Sequence, residues 1–81
     1  MATVKSDGGS TSYYNIPDFA VDLGDLIEHK EMSFNIGNIF KACYRFGGKD
    51  GTSKRYDLNK IIYFAQREIA ILDRKEAAAL I

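Results

Sequence analysis

Disulfides are out of reach for this sequence, because Cys43 is its only cysteine and has no partner in the chain, a pattern that fits a reducing compartment. His29 is the single histidine, so a zinc cluster of Cys and His ligands cannot be assembled either. No apolar run approaches the ~20 residues that cross a bilayer. The first residues lack the charged-then-apolar order of a signal peptide. The expectation is a soluble, cytoplasmic protein. Neither sign of charge dominates: eleven basic and eleven acidic side chains balance to zero. That argues against non-specific nucleic-acid binding through phosphate contacts and against an acidic DNA mimic. Also missing are the GxxxxGK[ST] loop, the strand-to-helix glycine fingerprint, HExxH and the nucleophile elbow. If this chain transfers phosphate, it does so without a P-loop.

What is there suits one small helical domain. The chain has 81 residues, 46% of them hydrophobic, which leaves room for a single modest core. A domain this short buries only roughly 60% of the surface its unfolded chain exposes, so it needs further support. With disulfides and zinc excluded, that support is well-packed helices and self-association.

Residues 1 to 12, MATVKSDGGSTS, offer almost nothing to bury and read as a flexible leader, leaving 13 to 81 as the domain. Tyr13, Tyr14, Ile16, Pro17 and Phe19 form an apolar arm expected to pack across the helices, with Tyr13 to Ile16 as the one stretch that can pair as a short edge strand. A first helix is expected from about Val21 to His29, capped by Asp18 or Asp22. A second runs from about Ser33, its cap, to Phe46, where Gly47 and Gly48 supply the left-handed stop. The segment GGKDGTS is a turn-rich loop. A third helix extends from about Lys54 into the terminal AAALI, roughly 37 Å at 1.5 Å per residue, longer than this domain's own core requires. The excess predicts a partner helix. The fold class is therefore all-α: a small three-helix unit with a long C-terminal helix, completing its core by self-association.

Helical spacing sorts the chemistry. On the second helix Asn38, Lys41 and Arg45 share one stripe, and Ile36, Ile39, Phe40, Cys43 and Phe46 take the opposite, core-facing side. On the third, Lys60, Tyr63, Arg67 and Arg74 gather on one side against Leu58, Ile61, Ile62, Ala65, Ile69 and Leu72. Lys49 stands among loop glycines whose backbone N–H groups can join it in meeting an anion. Guanidinium, ammonium and tyrosine together are what phosphate and base recognition use. Basic stripes on amphipathic helices are also ordinary solvated faces, and that reading stands beside the first. Asp57 is read as a first-turn residue favoured by the helix dipole, His29 as a C-terminal dipole partner and Cys43 as core. Asp57 and Glu68 lie on nearly the same side but roughly 16 Å apart along the axis, too far to share one site within a chain.

The run GNIFKACYRFGGKDGTSKRYDLNKIIYFAQRE, residues 37 to 68, resembles the core signature of a small phage-encoded family of unknown function, sometimes labelled SaV-like. Its recurrent form is GN-x-x-K-x-x-x-R-x-G-x-K, a short loop, then D-L-x-K-x-x-x-[FY]-x-x-[RK]-E. This chain supplies Gly37, Asn38, Lys41, Arg45, Gly47 and Lys49, then Asp57, Leu58, Lys60, Phe64, Arg67 and Glu68. DLIEHKEMSF, residues 25 to 34, also looks similar. The family includes the nucleotide kinase of a T-odd coliphage, which converts deoxynucleoside monophosphates to diphosphates.

The resemblance implies a phage-encoded nucleotide-binding protein, similar to a nucleoside monophosphate kinase, acting in the host-cell cytoplasm. Asn38, Lys41, Arg45, Lys49, Lys60 and Arg67 would hold the nucleotide, Asn38 orienting it and the cations neutralising phosphate. The residues assign no catalytic group and no metal, and a Mg²⁺ requirement is left open. Since one subunit offers little concavity, the pocket is expected at an interface of a homo-oligomer. The alternative is a counter-defence protein that inhibits a bacterial immune effector or sequesters its nucleotide signal without turnover.

Overall fold

The computed structural model describes residues 12–80, so the expected leader lies, except for Ser12, outside the described residues. Among them the architecture is all-helical, with no strand: a single 3₁₀ turn over Ser12–Tyr14, then α1 (Leu23–His29), α2 (Phe34–Arg45) and α3 (Lys54–Ala79). No described helix is long and apolar enough to cross a membrane. The stretch from Tyr13 to Ile16, which sequence offered as a strand edge, begins in that 3₁₀ turn.

Side chains set the helix ends. Asp22 caps α1, accepting from Asp25 N at 3.0 Å, while Asp25 Oδ2 accepts back from Val21 N and Asp22 N, a reciprocal capping box. These two backbone donors hold the Asp25 carboxyl below the usual aspartate range. Past α1, Glu31 stands at φ 51°, with Glu31 N donating to Glu28 O and Met32 N to Ile27 O, the paired bonds of a Schellman end. Ser33 caps α2 through Ile36 N, and Ser53 caps α3 through Tyr56 N. Gly47, at φ 82°, turns the chain out of α2 after Phe46.

The dominant helix–helix contact is α2 on α3, an antiparallel αα-hairpin closed by the glycine-rich loop. Its packing differs from the periodic expectation. Asn35, Gly37 and Ala42 are the buried residues of α2, whereas Cys43 and Ile36 are exposed and Ile39 and Phe40 half-buried. The helix is turned so that small and polar side chains meet α3. Cys43 is therefore not a core residue. The physical reason is that α2 must present Asn35 and Arg45 to carboxylates on α3, which rotates its most apolar arc sideways.

The arm only partly packs: Tyr13, Tyr14, Ile16 and Pro17 line a groove of 270 Å³ shared with Leu26, His29 and Phe40 of α1 and α2, but Tyr13, Tyr14, Ile16 and Phe19 stay largely exposed. The Phe19 ring meets His29 edge-on at 5.8 Å. Yet Ala42 is the only buried hydrophobic residue among those described, and α1 buries none. The radius of gyration is 16.3 Å, against about 12 Å for a compact chain of this length. The single chain is an open hairpin with a thin core.

Candidate functional site

Two polar pins hold α2 to α3. At the loop end, Arg45 Nε donates to Asp57 Oδ1 at 2.8 Å, its Nη2 reaches the same oxygen, and Gly47 N donates to Asp57 Oδ2. The Asp57 side chain is fully buried and that of Arg45 only 21% exposed. The Arg45 hydrogen bond is the main reason the Asp57 carboxyl sits below the usual range; burial opposes it, and the Gly47 N–H and the charges of Arg45 and Lys60 add to it. At the far end, Glu68 accepts from Ser33 Oγ and, at 3.0 Å, from Asn35 Nδ2. Asn35 Oδ1 is buried with no partner among the described residues.

These pins revise two readings. Asp57 is more than a first-turn residue favoured by the dipole: it is the buried anchor of the hairpin. Arg45, expected beside Asn38 and Lys41 on a ligand-facing stripe, is engaged by that anchor. Asp57 and Glu68 indeed share a side of α3 and serve opposite ends of α2. A signal for the first pin lies in the numbering, since Arg45 and Asp57 each stand six residues from Gly51 within the loop, and an antiparallel hairpin brings nearly equidistant positions together.

Of the other expected ligand residues, Asn38 and Lys41 line a shallow groove of 260 Å³ with Ile27, Met32, Phe34 and Gly37. Asn38 Nδ2 donates to Phe34 O at 2.8 Å, a local bond one turn back rather than a reach across elements. Gly37 is buried against α1, where an added Cβ would stand 3.4 Å from Ile27 Cγ2. Lys49 is exposed in the loop, and its carbonyl accepts from Thr52 N and Oγ1.

Lys60 and Arg67 belong to a different surface. Along α3, Tyr56, Lys60, Tyr63 and Arg67 recur at steps of four, three and four, one continuous edge of the helix. The Lys60 ammonium lies 5.6 Å from the centre of the Tyr56 ring, and the Arg67 guanidinium 5.8 Å from that of Tyr63. Both rings are half-exposed. Among the described residues the one ion pair within 4 Å is Arg45 to Asp57, so Lys41, Lys49, Lys60 and Arg67 carry charge that no carboxylate neutralises at contact distance. The structure thus groups the six expected residues into a groove pair, a structural pin, a loop lysine and a cation–aromatic edge, with Phe34 of the groove meeting Phe64, whose ring meets Tyr63 of the edge. No protein-family model, curated protein or solved structure matches the chain. Fold and surface define a small helical hairpin that displays unneutralised cations stacked on open tyrosines.

Proposed function

We propose that this chain is a nucleotide-binding protein, similar to a nucleoside monophosphate kinase of the phage-encoded family its signature resembles, and that it works as a self-associated subunit. The observation that carries the reading is the α3 edge, where Lys60 and Arg67 rest on Tyr56 and Tyr63 rather than on carboxylates. A nucleotide brings a flat base and an anionic phosphate. Tyrosine faces stack the first, and ammonium and guanidinium groups take the second, forked in the case of Arg67. Asn38 and Lys41 lie on α2, which packs directly on α3, and Lys49 on the loop between the two, and they would add phosphate contacts beside that edge. Self-association belongs to the proposal because the single chain has a thin core.

The test is thermal stability against a panel of nucleoside mono-, di- and triphosphates and cyclic nucleotides, where a ligand at 100 times its Kd adds about 2.7 kcal/mol. A shift with one class that disappears in Lys60→Ala with Arg67→Ala supports the reading, and a turnover assay on that ligand then separates kinase from binder. No shift across the panel sinks it. The wide apolar exposure of the single chain also favours a second reading, a counter-defence protein that captures a bacterial immune effector. It predicts no nucleotide shift at all, whereas a sponge for a nucleotide signal shifts and returns its ligand intact on denaturation.

A further inference from the structure

α3 carries more than the two faces described so far. Asp57, Phe64 and Glu68 meet α2, with Phe34 edge-on to Phe64 at 5.8 Å. Tyr56, Lys60, Tyr63 and Arg67 form the cation–aromatic edge. A third line, Leu58, Ile62, Ala65, Ile69 and Leu72, runs about a third of a turn from the α2 contact. Its steps of four, three, four and three are the seam spacing of paired helices. The four large side chains on it are each between 47% and 56% exposed, so about half of each is open to a partner. The same steps carry the seam to Arg55 at one end and Glu76 at the other, both exposed.

We infer that this seam is the self-association surface and that two copies of α3 pair along it antiparallel, an inference that rests on the self-association included in the proposed function. The choice of a second copy follows from the ends. A parallel, in-register pair sets Arg55 against Arg55 and Glu76 against Glu76, like charge facing like charge in the seam. Reversing one helix brings each Arg55 to the partner's Glu76, so the seam is complementary to itself in one direction only. The same register places Leu58 opposite the partner's Leu72 and Ile62 opposite the partner's Ile69, so the large apolar side chains of the two seams meet in pairs. Glu68, which flanks the seam in each copy, is turned onto Ser33 and Asn35 of its own α2. The pairing leaves Lys60, Tyr63 and Arg67 uncovered, because they occupy a separate edge of the helix.

The experiment combines mass in solution with cross-linking, using the full chain in a Cys43→Ser background. The native chain is expected to elute at a multiple of its monomer mass by light scattering. Chains with Ile62→Cys mixed with chains with Ile69→Cys are expected to oxidise to a mixed disulfide in preference to either homodimer. Arg55→Glu is expected to shift the equilibrium toward monomer, and Arg55→Glu combined with Glu76→Arg to restore it. Both positions are exposed, and circular dichroism checks that each variant stays helical. An oligomer that cross-links Ile62→Cys chains to one another, or that keeps its mass when Ile69→Asp is introduced, overturns the antiparallel seam while self-association stands. A native chain that is monomeric at high micromolar concentration overturns both.

Discussion

Gly47 stands at φ 82°, and an added Cβ would come within 2.9 Å of Lys54 Cγ, so backbone strain and crowding act together there. Gly47→Ala is expected to cost at least the roughly 1–2 kcal/mol of placing an L side chain in left-handed backbone, read from urea denaturation. Glu31 presents the opposite case: φ is 51° at a position that ordinarily takes glycine. Glu31→Gly is expected to stabilise by about 0.5–1 kcal/mol, the relieved strain less the added chain entropy. Asp57 makes stability depend on pH. Its carboxyl titrates lower in the folded chain than the ordinary value of 3.8. The stabilisation is therefore full above the unfolded value and is lost as pH falls through the lower folded one. Acid unfolding of the native chain should accelerate in that window, and Asp57→Asn, weaker at neutral pH, should show a flatter profile there.

At the scale of elements, the α2–α3 hairpin depends on pins at its two ends more than on apolar burial between them. Ser33 illustrates this, since one hydroxyl both caps α2 and donates to Glu68. Ser33→Ala should cost about 1 kcal/mol through the cap alone, and a double-mutant cycle with Glu68→Gln should reveal a further coupling. Arg45→Ala should destabilise more than Ser33→Ala, because it leaves the Asp57 carboxylate buried and unpaired. Loss of a ligand in that variant would report on folding, which is why Lys60→Ala with Arg67→Ala is the cleaner test of the nucleotide edge. Several helix ends were legible in the sequence: Asp22, one of two cap candidates for α1, Ser33 and Gly47 act where their chemistry places them, and α3 begins at Lys54. The rotation of α2 was not, because periodicity weighs Ile36 and Cys43 as apolar and cannot register the polar contacts that Arg45 and Asn35 make to Asp57 and Glu68 across the hairpin.

The whole molecule is expanded for its length, with a single buried hydrophobic residue among those described and a 26-residue helix of which α2 covers one side. Its stability should rise with protein concentration if that helix finds a second copy, so the melting temperature is expected to increase on concentrating the native chain and to lose that dependence in Ile69→Asp. Apolar burial at the seam, rather than within the hairpin, would then supply the missing core.

The sequence by itself determined the all-helical class, the three helices with the caps of α1 and α2, the glycine-rich turn between α2 and α3, and the division of α3 into a basic–aromatic side and an apolar side, since each follows from local chemistry and helical spacing. Only the tertiary structure decided which arc of α2 is buried, that Arg45 and Asp57 form an anchor, and that the apolar side of α3 splits into a face against α2 and an open seam. Those outcomes turn on which side chains meet across the hairpin. Spacing within one helix carries no information about the strength of a contact to another.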